Sequence, residues 1–130
     1  MTAPPTDTST PTPLPTSAPP EPYNPEDGST FSGASAIIKL AWRSTHTLAI
    51  DECFLVDLRW TEGGAPALNE TCVQETHWYL DDLLHLRADQ ETGRIYYWTV
   101  RLARRQTDSA GNTTYATFSA PSEEFSFYWN

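Results

Sequence analysis

Cations are scarce in this chain. Eight Lys and Arg side chains, only one of them a lysine (Lys39), face seventeen carboxylates, giving a net charge of −9 over 130 residues. Such a chain is repelled by a phosphate backbone. Its one basic cluster, Arg101, Arg104 and Arg105, reads as the solvated face of a strand, so nucleic acid is excluded as a partner. Long apolar runs are missing too. No segment approaches the ~20 consecutive apolar residues that a spanning helix needs, which argues against membrane insertion of this segment. Residues 1–22 have neither a basic start nor an apolar stretch, so no signal peptide is read there, and the chain is expected to be part of a larger multidomain protein. Histidine occurs three times, at His46, His77 and His85, and no pair has the spacing of a zinc or helical metal site. No Gly-x-Ser-x-Gly, phosphate-loop or dinucleotide fingerprint occurs. Neither catalytic, cofactor-binding nor metal residues are therefore assigned, and the expectation is a protein that is not an enzyme.

Proline is abundant in one place. Nine of eleven prolines lie between Pro4 and Pro25, mixed with Thr, Ser and Ala. The stretch up to Pro22 has almost nothing large and apolar beyond Leu14. It cannot offset the entropy of ordering its backbone and is expected to be a disordered, semi-rigid Pro/Thr-rich linker over residues 1–22. The remaining residues, 23–130, are expected to form one small domain of about 105 residues.

That domain reads as all-β. Short runs of period two are separated by Gly, Pro, Asn and Asp. Ile38, Leu40 and Trp42 alternate with Ile37, Lys39 and Ala41. Phe54, Val56, Leu58 and Trp60 alternate with Cys53, Leu55, Asp57 and Arg59. Glu62-Gly63-Gly64-Ala65-Pro66 reads as a hairpin connection, followed by a run from Leu68 to Leu80 that ends with Trp78 and Leu80 toward the core. Tyr96, Trp98, Val100 and Leu102 share one face, with Tyr97, Thr99 and Arg101 on the other. Asp108–Asn112 is a second hairpin turn, and Tyr115–Phe118 and Phe125–Trp129 close the domain around an interruption at Pro121. Only Asp81–Asp89 has helical character, a turn or two capped by Asp81 or Asp82 that would carry the chain from one sheet to the other.

Leu40-Ala41-Trp42, Phe54-Leu55-Val56 and Tyr96-Tyr97-Trp98-Thr99-Val100-Arg101 resemble the B, C and F strands of fibronectin type III modules. Ser119-Ala120-Pro121-Ser122 with Phe125-Ser126-Phe127 resembles the last strand of that family. The resemblance implies a seven-stranded antiparallel immunoglobulin-like sandwich over about residues 22–129. Two connections, Trp42 to Asp51 and Leu86 to Tyr96, are longer than the family's pattern. They suggest a divergent variant of the kind found beside stalks in bacterial surface or secreted proteins.

Cys53 and Cys72 are the only cysteines. A hairpin around Gly63-Gly64 would place them nearly opposite each other, within reach of a disulfide, which agrees with an extracytoplasmic location. Asp81, Asp82, Asp89 and Glu91 form an acidic patch that fits capping and solvation better than a calcium loop. Tryptophan and tyrosine exceed what one small core needs. Trp60, Tyr79 and Tyr97 are the candidate outward contacts, where a flat ring could stack on a sugar or anchor a protein. These features lead to the expectation of an accessory module that spaces, or that recognises a cell-wall glycan or protein partner. The alternatives are a carbohydrate-binding module of a secreted hydrolase and a structural subunit assembled by edge-strand pairing.

Overall fold

A computed structural model describes residues 17–130. The first sixteen residues, most of the expected linker, lie outside the described residues. The strands are β1 (Glu21–Asn24), β2 (Ser29–Phe31), β3 (Lys39–Arg43), β4 (Glu52–Glu62), β5 (Ala65–Val73), β6 (His77–Tyr79), β7 (Ile95–Thr107), β8 (Thr113–Thr117) and β9 (Phe125–Trp129). Two 3-10 turns, Asp82–Leu84 and Gln90–Thr92, lie between β6 and β7.

These strands form two sheets. The smaller has the order β1-β3-β6. The larger has the order β2-β9-β7-β4-β5, with β8 also on β7. Nine strands occupy the seven places expected. β1 and β2 are successive parts of one edge run that changes sheet, and β8 and β9 share one edge of β7. The expectation of purely antiparallel pairing needs one correction, because β2 runs parallel to β9, with Ser29 to Phe31 against Phe127 to Trp129. The linker boundary also moves. Glu21 and Pro22 already pair with Arg43 and Trp42, and Ser17 bridges Ser119. Pro20 is fully buried, so the last prolines of the run are packed residues. Proline fits β1 because β1 is a sheet edge, where a missing N–H costs no ladder bond.

The alternation read from the sequence sets the core. Ile38, Leu40 and Trp42 of β3 and its approach face Phe54, Val56, Leu58 and Trp60 of β4 and Tyr96, Trp98, Val100 and Leu102 of β7. Phe127 and Trp129 of β9 complete this cluster. Trp42 lies 5.6 Å from Phe54 and 6.2 Å from Trp98 between ring centroids, and Tyr96 stacks on Phe127 at 5.2 Å. The run expected from Leu68 to Leu80 divides in two. β5 stays with β4 as far as Val73, and exposed Gln74-Glu75-Thr76 carries the chain to the smaller sheet as β6. Trp78 and Leu80 still pack against the core.

The two long connections are held by side chains. In Ser44–Asp51, the buried Glu52 carboxylate accepts from the Ala49 N–H (2.9 Å) and binds His46 Nε2 (2.8 Å) and the Arg104 guanidinium (3.0 Å). Those partners, the backbone N–H foremost, hold the Glu52 carboxyl below its ordinary value. Between β6 and β7 the chain wraps around the Tyr96 hydroxyl. That hydroxyl accepts from the N–H groups of Arg87 (3.1 Å) and Ala88 (3.0 Å) and donates to the Leu84 carbonyl. This is the tyrosine corner of immunoglobulin-like sandwiches, a Tyr at the start of the strand that follows the crossover. The residues added before Tyr96 reach sideways: Asp89 receives the N–H groups of Gly63 (2.7 Å) and Gly64 (2.8 Å) at the tip of the β4–β5 hairpin.

At Pro121 the last strand breaks, and two buried serines keep it attached to β7. Ser119 Oγ accepts from the Leu102 N–H and Ser122 Oγ from the Val100 N–H, each at 2.9 Å. Hydroxyl oxygens thus replace carbonyls the broken ladder cannot supply.

Candidate binding surfaces

Cys53 and Cys72 form a disulfide, with Cα atoms 5.6 Å apart. In the register, Cys72 lies directly opposite Leu55, so the bridge runs diagonally to Cys53 rather than straight across. With Leu55, Ala103 and Tyr115 it forms a small apolar cluster on the outer face of the larger sheet. The bridge fixes the end of the β4–β5 hairpin far from its turn.

The three aromatic candidates do not meet. Trp60 is corrected: it is only 6% exposed, packs 5.7 Å from Tyr96, and donates from its indole to Glu62 (2.9 Å). The reason is its phase, since it shares the inward row of Phe54, Val56 and Leu58. Tyr79 and Tyr97 are exposed, at 52% and 38%, but they belong to different sheets and so to opposite faces of the sandwich. They are two surfaces.

Tyr97 stands beside its cross-strand partner Arg59, which in turn pairs with Glu124. A shallow depression of ≈ 200 Å³ there is bounded by Arg59, Thr61, Pro66, Tyr97 and Glu124, with an edge of Trp60 beneath. Inward along the same face, Arg101 binds Asp57 at 2.8 Å. Glu70, opposite Asp57, has its carboxyl raised above the ordinary range, first by desolvation and then by the charge of Asp57.

Tyr79 borders the larger opening, a groove of ≈ 480 Å³ in the seam between the free edges of β5 and β6. Asn69 lines it from β5, Trp78 and Tyr79 from β6, and Asp81, Leu83, Leu84 and Arg87 from the crossover. Leu84 is buried while Leu83 is 74% exposed, because the 3-10 turn places adjacent residues on different sides. Leu86 (50% exposed) follows on the crossover, and Leu68 (59%) is exposed on the outer face of the larger sheet, opposite Arg59. Sequence reasoning passed over Leu68 and Leu83. The available signal was that a turn so short, with Leu83, Leu84 and Leu86 in or just after it, cannot bury all three leucines.

Several polar side chains hold the turns and strand ends. Asp81 caps the crossover by accepting from the Leu83 N–H (2.9 Å), and Asp89 clamps the hairpin tip, which depresses its carboxyl. Asp108 accepts from Ala110 and Asn112 within its own turn. Asp27 accepts from the Ser126 N–H (2.7 Å). His85 contacts the Asn130 carbonyl at 2.7 Å and lies against Trp129. Among the described residues no three His, Cys, Asp or Glu side chains group as a metal site would require.

No protein-family model matches the chain, and no curated protein matches it. Among solved structures it is similar to the fibronectin type III domain of human fibronectin type III domain containing protein 3. The match has 15% identity over 93% of this chain and 90% of that one, with a TM-score of 0.42.

Proposed function

We propose that this chain is a non-catalytic recognition module that works outside the cytoplasm, docking a partner at a cell surface or within a secreted protein. The observation that carries this reading is the seam groove. Exposed Tyr79 and Leu83 and partly buried Trp78 surround it, with Asn69, Asp81 and Arg87 supplying polar contacts at the rim. An aromatic and aliphatic surface set among a few placed polar groups is suited to binding. A spacer has no need to leave such side chains exposed. The location is supported by the Cys53–Cys72 bridge, since disulfides persist in oxidising compartments.

The test is cosedimentation of the folded chain with isolated bacterial cell-envelope fractions, comparing the wild type with the Tyr79→Ala, Leu83→Ser double variant. Retention that falls at least tenfold in the variant supports recognition through the groove. No retention of either, or equal retention of both, refutes it and leaves the spacer role.

A second reading is favoured by Tyr97. A half-exposed ring beside the paired Arg59 and Glu124 could stack on a sugar while the charged pair meets its hydroxyls. A polysaccharide panel tests it: binding abolished by Tyr97→Ala but indifferent to Tyr79→Ala would move the site to this face.

A further inference from the structure

β5 is an edge strand of nine residues that pairs with β4 without a break in register from Ala65 to Val73. The hairpin turn decides which of its backbone groups are free. Gly63 (φ 62°) and Gly64 (φ 78°) are both left-handed, as a two-residue type I′ turn requires. The flanking pair, Glu62 and Ala65, then exchanges hydrogen bonds, and alternate pairs follow: Ala67, Asn69, Thr71 and Val73 bond to β4. Pro66, Leu68, Glu70 and Cys72 turn their backbone groups away from the sheet. Pro66, which has no N–H, falls at one of these outward positions, where β4 asks nothing of it. Beyond it, Leu68, Glu70 and Cys72 present three N–H and C=O pairs along an edge that no other described strand pairs.

Natural edges are normally protected by lysine, proline or a bulge. Past Pro66, β5 has no lysine, proline or bulge and a single charge, Glu70, and the disulfide at Cys72 holds its far end to β4. The seam groove opens beside this edge on the core side, with Leu68 exposed on the other. A strand laid against β5 would therefore send alternate side chains into a pocket of Trp78, Leu83 and Leu84. The intervening ones would lie over Leu68 and Glu70. The acidic groups nearby are Glu70 on the strand and Asp81 and Asp82 on the crossover. Of the cations, Arg87 is taken up by Glu62 (2.9 Å), Arg59 by Glu124 and Arg101 by Asp57 (2.8 Å), while Lys39 lies over the Tyr79 ring on the smaller sheet.

We infer that β5 accepts an extended segment of a partner protein as an added strand, apolar at every second residue and basic between, through the outward backbone groups of Leu68, Glu70 and Cys72. This names the partner class for the recognition role proposed above and rests on that role. Main-chain hydrogen bonds would supply the affinity and the groove the specificity.

The test uses a library of displayed, randomised dodecapeptides selected on the whole chain. Enriched sequences should alternate apolar residues with Lys or Arg. A synthetic copy of one should slow amide hydrogen exchange at Leu68, Glu70 and Cys72 by about tenfold or more. Glu70→Pro removes one outward N–H and spares the β4 ladder, and should weaken binding at least tenfold. Glu70→Gln keeps the N–H and should retain most of the affinity. The inference is overturned by a library with no enrichment, by selected peptides that leave those three amides unprotected, or by equal binding to the folded Glu70→Pro protein. The amide readout on the wild type stands even where the proline variant fails to fold. Envelope retention that depends on Tyr79 and Leu83, together with unprotected β5 amides, would sink strand addition alone. Protected amides with envelope retention indifferent to the groove would sink the surface-recognition role instead.

Discussion

Replacing Tyr96 with phenylalanine removes one oxygen atom, and the structure allows the cost to be worked out. The ring stays 5.2 Å from Phe127 and keeps its burial, so the apolar contribution is unchanged. What is lost is the shared partner of three backbone groups: the N–H groups of Arg87 and Ala88 and the carbonyl of Leu84. Arg87 is exposed, but Ala88 and Leu84 are buried. Each buried backbone group left without a partner costs about 1–3 kcal/mol. The Leu84 carbonyl keeps the Arg87 N–H as a partner (3.3 Å), so the one buried orphan is the Ala88 N–H, and the expected loss is about 1–3 kcal/mol. That is a large share of the roughly 5–15 kcal/mol by which a domain of this size is stable. In urea the midpoint should fall by on the order of 1–2 M with an unchanged slope. Fluorescence of buried Trp42, Trp98 and Trp129 reports the transition. Tyr97→Phe, one residue along on the exposed face, is the control and should shift stability by no more than about 0.5 kcal/mol. A Tyr96→Phe loss below ~1 kcal/mol, or one matched by Tyr97→Phe, would refute the claim that this hydroxyl fastens the crossover.

Reducing the Cys53–Cys72 bridge opens a loop of 19 residues' separation and should cost ~3 kcal/mol, read as the difference in urea midpoint with and without reductant. Ser119→Ala with Ser122→Ala leaves the N–H groups of Leu102 and Val100 unsatisfied, and calorimetry should show a loss of about 2–4 kcal/mol for the pair. Because the folded-state pKa of Glu52 is depressed below 4.5, the stability it contributes is present above that value and disappears as pH falls through the lower, folded value. Urea titrations in acid should show this decline in the wild type, with a shallower slope in Glu52→Gln. Asp89→Ala should speed amide exchange at Gly63 and Gly64 by about tenfold while leaving β7 protected.

The rows that make the sandwich were legible because period two is a local property. Phe54 to Trp60 and Tyr96 to Leu102 each show it within eight residues. The same alternation already placed Trp60 inside, and the expectation of an outward Trp60 came from counting aromatics instead of following phase. The change of sheet at Gln74–Thr76 was hidden, because Leu68 has the same parity as Trp78 and Leu80 and makes one continuous inward row with them. The inward residues of β5 are instead Ala67 and Val73, and the phase flips only across the connection. The features that hold the loops were out of reach for another reason. Asp89 meets Gly63 and Gly64 across 26 and 25 residues, and Ser119 meets Leu102 across 17. No local pattern marks an Asp or Ser for such a partner. The exposed edge of β5 lies between these cases. Its hairpin turn was in the sequence, but its end at Val73, and that nothing described covers it, followed only from the sheet order.

The parallel pairing of β2 with β9 bears on how the chain would carry a mechanical load. Tension applied between residues 17 and 130 pulls β2 back toward its start and β9 onward toward its end, along the same axis and in opposite senses. The hydrogen bonds linking Ser29–Phe31 to Phe127–Trp129 are then strained together, in shear, rather than opened one after another from an end. β1, drawn from its first residue along β3, is loaded in the same way. Force spectroscopy with handles at these two positions should show a single high rupture event. Handles across the β7–β8 hairpin, whose strands would peel apart pair by pair, should yield at markedly lower force.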